Sequence, residues 1–394
     1  MPAGAEVVVV GGGIIGLSVT YYLAKQGVDV AVVEKGDFAS GTSSHCMAGL
    51  QLCTKIIGPK LDLAVEGIKM HHSLENELGE DLEFTEQGGM IVAQNEREAQ
   101  FLAERVAGYK RAGINMEFLN AEDSRRRQPV LAKDVVGSLY SPRDCQLNPL
   151  GLAMAFVRRS QALGAKTYPF HTVTGIEVKN GRITSVVTSG GEIPTRTVVN
   201  AAGPWAPNLA RFVGLDLPIV PRQGQILVTE PSPPLYHGLI LSADYLLSKD
   251  VHSANGAAGR LLSGVVTNQT QRGNCLIGST RAFVGYDIRT SHEGIRALVR
   301  NVVRLIPPIG GLHVIRSYAG LRPATPDGIP IMERAPQLPD FITAAGHEGD
   351  AIALGPVSGK LIAQLITGKL EAGRLAPFAS SRFDRSQGDE AHDH

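Results

Sequence analysis

Three glycines and one acidic residue near the N-terminus have the types and spacing needed to hold a dinucleotide. Gly11, Gly13 and Gly16 follow a run of four valines, and Glu34 closes a second apolar run that begins at Val28. The first glycine permits a tight turn, the second lets backbone N–H groups approach a pyrophosphate, and the third lets a helix pack against the strand. The pattern predicts a strand, a helix whose positive N-terminal end receives phosphate, and a second strand.

The position of Glu34 narrows the choice of dinucleotide. It lies 23 residues beyond Gly11, where a carboxylate can accept hydrogen bonds from the ribose hydroxyls. The same carboxylate would repel a 2′-phosphate, so the sequence favours FAD or NAD over NADP. A glycine-rich turn in a sheet that binds nothing is the alternative, and the order of strand, helix and acid argues against it.

Small and hydroxyl-bearing residues in two further segments indicate close approach to a ligand. One is the loop of residues 36–49 after the second strand, and the other is the end of an apolar run that starts at Thr197. An ordinary surface loop is the alternative reading of the first segment. The predicted cofactor contacts in and beside these segments are Lys35, Thr42, Ser43, Ser44, Gly49, Ala202, Gly203 and Trp205.

Length and charge are those of a two-domain protein without an affinity for polyanions. The chain has 394 residues and 38 charged side chains of each sign, so no net positive field favours nucleic acid. No apolar run approaches the roughly 20 residues that span a bilayer, and six residues before the first strand leave no room for a signal peptide. These features predict a cytoplasmic protein.

Cysteine and histidine patterns argue against a metal centre. The four cysteines show no Cys-x-x-Cys pair, so an iron–sulfur cluster or structural zinc within this chain is not expected. His71 and His72 are adjacent on a predicted helix and cannot face the same way. No residue is therefore predicted to bind a metal.

The remaining pattern predicts an α/β fold with an antiparallel insertion. Asn180-Gly181 between two alternating runs indicates a hairpin, and strand-like runs dominate from Leu217 to about Tyr318. The polar tail from Ala379 is predicted to be disordered. Predicted helices cover residues 61–78, 96–112, 148–163, 291–305 and a last one that starts at Pro356 and ends at 366.

Three motifs together resemble the D-amino acid oxidase superfamily of flavoproteins, which includes glycine and sarcosine oxidases. They are the N-terminal glycine unit with Glu34, the segment Val199-Asn-Ala-Ala-Gly-Pro-Trp-Ala206, and Ala319-Gly-Leu-Arg-Pro-Ala-Thr-Pro-Asp-Gly-Ile-Pro330. The resemblance extends to about residue 375. It implies FAD and a Rossmann-like FAD-binding domain (1–85, 146–216 and 322–378) with an inserted substrate domain (86–145 and 217–321).

The resemblance also assigns residues to the substrate. The arginine of the third motif, Arg322, would grip a substrate carboxylate, in agreement with the bidentate geometry of a guanidinium. A structural pair with Asp327 is the alternative. Tyr245, in a segment similar to the family's Tyr-x-Val-Pro-Arg strand, would help to hold the carboxylate, with cross-strand packing as its alternative role.

Further cofactor contacts follow from the resemblance. Backbone N–H groups after Gly346 would face the flavin pyrimidine, and a helix starting at Pro356 would favour negative charge on the reduced ring. His45 and Cys46 leave a covalent flavin link open. The remaining implied contacts are Ile14, Ile15, Val173, Gly349, Asp350, Ala351 and Ile352.

Two departures from the simple oxidases point to a larger assembly. The segment Gly346-His-Glu-Gly-Asp-Ala351 lacks the arginine found in glycine oxidases, and residues 251–272 look like an insertion. Both features resemble the flavin subunits of heteromeric dehydrogenases such as hydrogen cyanide synthase, opine oxidase and hydroxyproline dehydrogenase. The resemblance implies partner subunits with iron–sulfur or second flavin sites, through which the chain could lie peripherally at the inner membrane.

The predicted reaction is oxidation of an amino acid or N-substituted amino acid, by hydride transfer to flavin N5. Two alternatives remain open. One is a free-standing oxidase that passes electrons to O₂, for which Lys249 is the nearest match to the family's lysine above N5. The other is a flavin-bearing electron-transfer subunit without a substrate site of its own.

Overall fold

A computed structural model describes residues 2–252 and 261–387 of the chain. Side chains are described for residues 2–247 and 261–384, so those of Lys249 and of the whole segment 251–260 lie outside them. The strands are β1 (Val7–Val10), β2 (Val30–Val33), β3 (Gly49–Leu50), β4 (Gly89–Ala93), β5 (Glu117–Asn120), β6 (Gly137–Ser141), β7 (Cys145–Gln146), β8 (Lys166–Tyr168), β9 (Val173–Lys179), β10 (Arg182–Thr188), β11 (Gly191–Pro194), β12 (Thr197–Asn200), β13 (Val220–Pro231), β14 (Leu239–Ser242), β15 (Leu262–Gln269), β16 (Asn274–Arg281), β17 (Val314–Ala324), β18 (Ile331–Ala335) and β19 (Leu338–Ala345).

Helices connect and cover these strands. Short 3₁₀ helices lie at Gly203–Trp205, Arg211–Val213, Pro307–Gly311, Ala376–Phe378 and Ser380–Gln387. The α-helices are α1 (Ile14–Lys25), α2 (Pro59–Leu78), α3 (Glu96–Arg111), α4 (Ala121–Arg127), α5 (Pro149–Ala162), α6 (Ala206–Ala210), α7 (Ala243–His252), α8 (His292–Leu305) and α9 (Ala351–Ile366).

A six-stranded sheet forms the part of the molecule that contains the glycine turn, in the order β18-β19-β12-β1-β2-β8. Strand β1 lies between β12 and β2, parallel to both, and all four of its valines are buried. Strands covered on both faces need such continuous apolar runs. The carboxyl ends of β1 and β12 therefore meet at one edge of the sheet, where doubly wound folds bind ligands.

Close packing of α1 against α9 covers one face of this sheet. A Cβ atom at Gly359 of α9 would lie 2.5 Å from the Ser18 Cβ of α1, and one at Gly355 would lie 3.2 Å from Ile14. Neither glycine has a positive φ, so their role is the short distance between helices. This contact holds α9 beside the glycine turn.

An eight-stranded sheet forms the second part, in the order β17-β13-β16-β15-β14-β4-β6-β5. Its strands pair antiparallel except for β14 with β4. The long strands β13 and β17 place Arg222 directly opposite Arg322. A separate three-stranded sheet contains the predicted hairpin, in which Asn180 and Gly181 both have positive φ, as a type I′ turn requires.

Helix α9 begins five residues earlier than predicted. It starts at Ala351, and Pro356 lies inside it rather than at its first turn. A proline has no N–H, so the carbonyl of Ile352 lacks its usual helical donor. The Nε2 atom of His71 lies 3.0 Å from that carbonyl oxygen and donates in its place. The proline is therefore tolerated because a side chain from α2 replaces the missing hydrogen bond.

Three other sequence-based expectations are corrected. Tyr245 lies on α7, not on a strand. Residues 262–269 of the supposed insertion form β15, which pairs with β14 and β16, and only 253–260 lie outside the described residues. The predicted tail begins with the 3₁₀ helix Ser380–Gln387, which Arg382 fixes through an ion pair with Asp327.

None of the helices in the described ranges combines the length and hydropathy that crossing a membrane requires.

Candidate active site

A cleft of about 700 Å³ opens where the carboxyl ends of β1, β2 and β12 face the second sheet. Its volume lies within the usual range for small-molecule and cofactor sites. Fifteen of the predicted cofactor residues line it: Gly11, Gly13, Ile14, Ile15, Glu34, Lys35, Thr42, Ser43, Val173, Ala202, Gly203, Trp205, Gly349, Ala351 and Ile352.

The glycine turn forms a cradle that side chains would fill. Gly11 has a φ of 115°, and a Cβ atom there would lie 2.4 Å from the Ala201 carbonyl oxygen. Helix α1 has no side-chain cap at Gly13 and no acidic residue in its first turn. Its partial positive charge is therefore left for an anionic ligand, as a pyrophosphate requires.

Glu34 binds the turn as well as facing the cleft. Its Oε2 accepts from the Gly12 N–H at 2.7 Å, and its Oε1 accepts from the Gly36 N–H at 2.9 Å. Each carboxylate oxygen has a second lone pair, so the group can still accept from ribose hydroxyls. One side chain thus shapes the turn and offers acceptors to the cleft.

The hydroxyl-rich loop after β2 ties the two sheets together. Ser43 Oγ accepts from the Ile14 N–H at 2.9 Å, and Thr42 Oγ1 donates to the Leu321 carbonyl on β17 at 2.6 Å. His45 and Cys46 also line the cleft. Burial raises the pKa of the Cys46 thiol to about 11, so the thiol is protonated at neutral pH.

Stacked aromatic and basic groups close one side of the cleft. Lys35 Nζ lies 3.3 Å from the centroid of the Trp205 ring, and Trp205 stacks on Tyr286 with centroids 5.6 Å apart. Burial lowers the pKa of Lys35, although Glu34 opposes the shift. Tyr286 lines the cleft but was not predicted, because it lies about 80 residues from Trp205 in a segment without a motif.

Three predicted contacts have structural roles instead of lining the cleft. A Cβ atom at Gly16 would lie 1.9 Å from the Gly11 carbonyl oxygen, so this glycine serves helix packing. Ser44 Oγ donates to the Gly41 carbonyl at 3.1 Å. Gly49 lies in β3, and a Cβ atom there would be 2.9 Å from the Leu239 side chain.

Asp350, also predicted as a cofactor contact, holds two buried lysines. Its Oδ1 is 2.7 Å from Lys55 Nζ, and its Oδ2 is 2.6 Å from Lys60 Nζ. Burial lowers the pKa of Lys60, but Asp350 and Glu348 more than offset this and the pKa is raised. Asp350 therefore anchors the loop before α2 and the first turn of α2 to the start of α9.

Arg322 lies on β17 with its guanidinium turned toward β16. Its Nη1 donates to the Thr280 carbonyl at 3.2 Å, and its Nη2 donates to Ser279 Oγ at 2.5 Å. Among the described residues, no carboxylate forms a salt bridge with it, and Asp327 pairs with Arg382 at 2.7 Å. Burial lowers the pKa of Arg322 to about 10, so it remains charged at neutral pH.

Tyr245 and a second arginine lie beside Arg322. The phenol of Tyr245 favours the charged form of Arg322 electrostatically. The guanidinium carbon of Arg281 lies 3.9 Å from the centroid of the Tyr245 ring, and its Nη1 donates to the Tyr245 carbonyl at 3.1 Å. Arg281 was not predicted, because its position depends on the pairing of β16, which the sequence does not reveal.

The loop between β19 and α9 completes the site. Glu348, with a φ of 51°, pairs with the buried Arg222 at 3.0 Å. His347 lies within 3.0 Å of Ser358 Oγ, and burial lowers its pKa to about 3, so its imidazole is neutral. Glu348 also borders a second cavity of about 320 Å³, whose opening carries the exposed side chains of Ile56, Ile57 and Val220.

The prediction that the chain binds no metal stays a prediction. His72, Glu86 and Cys145 place ligand atoms within 4.8 Å of one another outside the cleft. His72 and Glu86 are exposed and lie 3.5 Å apart, while Cys145 is buried with a raised pKa. Such a group could hold an ion only if the buried thiol lost its proton.

Comparison with known proteins agrees with the geometry of the cleft. The family model described as FAD dependent oxidoreductase (DAO) matches residues 6–365. Glycine oxidase from Geobacillus kaustophilus is 31% identical over 386 residues, covering 96% of this chain and 97% of that protein. Hydrogen cyanide synthase subunit HcnC from Pseudomonas aeruginosa is 28% identical over 423 residues and covers 96% of each.

Solved structures show the same architecture. The crystal structure of L-proline dehydrogenase from P. horikoshii superposes with a TM-score of 0.88 at 25% identity, covering 98% of this chain and 99% of that one. That of the Geobacillus kaustophilus glycine oxidase has a TM-score of 0.87 at 29% identity, covering 97% and 99%. The glycine turn, a helix N-terminus without an acidic side chain and a cleft suited to the dinucleotide agree with these matches, and the chain belongs to the family of FAD-dependent oxidoreductases.

Proposed function

We propose that this enzyme oxidises an α-amino acid or an N-substituted amino acid at the carbon that bears the nitrogen. The observation that carries the proposal is Arg322, a charged guanidinium between the cleft-lining residues Leu321 and Pro323 that forms no salt bridge with a carboxylate among the described residues. Placing such a group in a low-dielectric site is costly unless a ligand compensates it. A substrate carboxylate would do so with the bidentate geometry that arginine favours.

The residues of the site would bind and orient the substrate. Arg322 holds the carboxylate and Tyr245 lies next to it, so the α-carbon is directed toward the cleft lined by Gly349 and Ala351. FAD, when bound, supplies the chemistry by accepting the hydride of that carbon. The nitrogen lone pair forms the C=N bond of the product imine, which water then hydrolyses.

The start of α9 would stabilise negative charge in the cleft. Its first residues, Ala351 and Ile352, line the cleft, and the positive end of a sixteen-residue helix lies there. The sequence predicts the same stabilisation from a helix that starts at Pro356. The helix starts five residues earlier, at Ala351. Backbone N–H groups, rather than a titrating side chain, would then support the reduced cofactor.

The proposal is tested by mixing the holoenzyme with amines in the absence of air. Amino acids and N-alkyl amino acids should bleach the flavin absorbance, while the same compounds as methyl esters or amides should not. The neutral derivatives are the matched control because they keep the C–H and C–N bonds and lose only the carboxylate. Equal bleaching by acid and ester would contradict the role of Arg322, and no bleaching by any amine would favour an electron-transfer subunit.

We infer that the electrons pass to a partner subunit rather than to O₂. The similarity to HcnC, a subunit by its name, supports this, as do the exposed Ile56, Ile57 and Val220 around the second cavity next to Glu348. The similarity to glycine oxidase supports the alternative of a free-standing oxidase.

Reoxidation rates separate the two acceptors. The reduced protein, expressed alone, should react slowly with O₂ and much faster with an artificial dye. If a partner covers the second cavity, Ile57→Asp should weaken its co-purification with this chain, whereas Ile315→Asp, also at an exposed apolar residue, should not. Peroxide formation by the isolated chain at the rate of dye reduction would establish the oxidase.

A further inference from the structure

A segment of the second part of the molecule crosses to the side of the cleft that carries β12. It comprises residues 282–289, between β16 and α8, and we call it the bridging segment. At its start, the backbone of Ala282 pairs with that of Gln223 on β13. Near its end, Nε2 of the Gln223 side chain donates to the carbonyl oxygens of Asp287 at 2.8 Å and Arg289 at 3.2 Å. One buried glutamine therefore fixes both ends of the segment to the second sheet.

Tyr286 joins the bridging segment to the other side of the cleft. Its ring stacks on Trp205, with centroids 5.6 Å apart and planes at 18° to each other. Its hydroxyl donates to the Pro204 carbonyl oxygen at 3.2 Å and lies 3.4 Å from Asn208 Oδ1. These three partners lie in the short helices that follow β12, and they line the cleft together with Tyr286. The contact therefore links the two sheets within the wall of the cleft.

The wall that Tyr286 completes is apolar and open to solvent. Tyr286 and Phe212 are each 44% exposed and Ile288 is 61% exposed, although all three line the cleft. Lys35 contacts the indole of this wall and directly follows Glu34, the carboxylate expected to bind ribose. Apolar side chains exposed along a groove indicate a surface that a ligand covers. FAD is the ligand that the family binds in such a cleft.

We infer that the bridging segment opens to let FAD enter or leave the cleft, and that Tyr286 is the positioning residue that holds it closed. The stack and the hydroxyl bond of Tyr286 involve a single side chain, so they can break while Gln223 keeps the segment on β13. Elements that admit ligands are drawn from such locally held parts of a protein. The inference concerns FAD alone, so it holds or fails independently of the proposed amine oxidation.

Rates of FAD binding and release test this role of Tyr286. Trp205 is the only tryptophan of the chain, so its fluorescence gives the association rate when the apoprotein is mixed with FAD. Exchange of bound FAD for excess 5-deaza-FAD, which has a different absorbance spectrum, gives the dissociation rate of the holoenzyme. Tyr286→Ala should raise both rates roughly tenfold, because it removes an aromatic stack and a hydrogen bond that keep the segment closed.

Two smaller changes separate the contacts of the segment. Tyr286→Phe keeps the ring stack and loses the hydrogen bond to Pro204, so both rates should rise roughly threefold, as expected for one neutral hydrogen bond. Val284→Ala is the matched control. Val284 belongs to the same segment and is 41% exposed, but within the described ranges it is not among the residues that line the cleft. Both rates should stay unchanged in this variant.

The two rates together distinguish an opening segment from a simple contact. If Tyr286 only touched the bound cofactor, Tyr286→Ala would speed dissociation and leave association unchanged, and that result would overturn the inference. Two unchanged rates would overturn it as well. Denaturant unfolding of each apoprotein checks its folding before FAD is added. If Tyr286→Ala does not fold, Tyr286→Phe carries the test, and the same pair of rates decides it.

Discussion

The two ends of the cleft are built in different ways. The dinucleotide end is centred on one continuous stretch, β1 to β2, which supplies backbone N–H groups, glycines and the positive end of α1, with further contacts from the segments around Val173 and Ala202. The proposed substrate end lies beside the cleft and brings together side chains from α7, β16, β17 and the loop before α9, including Tyr245, Arg281 and Arg322. The first is a property of local chain geometry, and the second depends on the pairing of distant strands.

This difference predicts different tolerance to substitution. Adding an atom to the backbone cradle should abolish cofactor binding, because there is no side chain that can move away. Changing a substrate-end side chain should leave the cofactor in place and alter only the affinity and rate for the substrate. Each variant below asks whether that separation holds.

Gly16→Ala should have the largest effect. The new Cβ atom would lie 1.9 Å from the Gly11 carbonyl oxygen, so the turn or the helix must move. We expect the purified variant to lack FAD, as judged by the flavin absorbance near about 450 nm. Gly311→Ala, where nothing lies within 4 Å, is the control. A fully loaded Gly16→Ala protein would show that the cradle is not rigid.

Arg322→Ala should be next, with a loss of roughly 2–5 kcal/mol in the efficiency of flavin reduction, since a buried carboxylate loses its partner. Arg322→Lys should recover part of the loss. Stopped-flow reduction gives the efficiency, and the flavin spectrum gives the FAD content, which should stay near that of the unchanged protein. Loss of FAD in both variants would mean that the two ends of the cleft are not separable.

Acid should destabilise the frame that both ends share. Burial lowers the pKa of His347 to about 3 and that of His71 to about 4, from an ordinary 6.5. In the unfolded chain both histidines bind a proton below about pH 6.5. In the folded chain they stay neutral until the pH falls to their lowered pKa values. The stabilisation is complete above pH 6.5 and falls by about 1.4 kcal/mol per pH unit for each histidine.

Chemical denaturation of the apoprotein between pH 7 and 5 measures this slope. His71→Gln keeps an N–H donor for Ile352 and removes the titrating group, so its slope should be lower by about 1.4 kcal/mol per pH unit. His292→Gln, at an exposed position, should leave the slope unchanged. Equal slopes for the unchanged protein and His71→Gln would mean that the imidazole is protonated in the fold.

Glu34→Gln should have the smallest effect, about 1 kcal/mol in FAD affinity. Glutamine keeps one carbonyl acceptor for the Gly12 or Gly36 N–H but loses the charge that strengthens both bonds. Reconstitution of the apoprotein with FAD measures the Kd, with the exposed Glu177→Gln as control. A change in substrate efficiency at saturating FAD would show that the two ends communicate.

The same contrast explains what could be predicted from sequence. The glycine turn, α1, Glu34 and the hairpin at Asn180-Gly181 follow local rules, and all are present as expected. Arg322 could be proposed as a substrate-binding residue because it lies in a motif that resembles the family's. The pairing of β13 with β16 and β17, which surrounds Arg322, could not be predicted from the sequence.

The misreadings have physical causes as well. A short apolar run such as that around Tyr245 is compatible with a strand or with a helix. In the structure it forms the helix α7, which packs against β15 and β4. Arg281 was missed because one residue of slip in β16 would turn it to the opposite face. The cofactor contact implied at Asp350 stays a prediction for its backbone N–H group, because two buried lysines bind its carboxylate.

The hydrogen bond that His71 donates to the Ile352 carbonyl predicts how positions 71 and 356 vary together among related sequences. Proline at 356 requires a donor at 71, so loss of the donor while the proline remains leaves the buried Ile352 carbonyl without a hydrogen bond. A Pro356→Ala chain supplies its own N–H and releases position 71 from the need for a donor. Relatives should therefore show covariation: wherever the helix lacks this proline, apolar residues should become acceptable at position 71. The tautomer is fixed for the same reason, with the proton on Nε2 and Nδ1 bare.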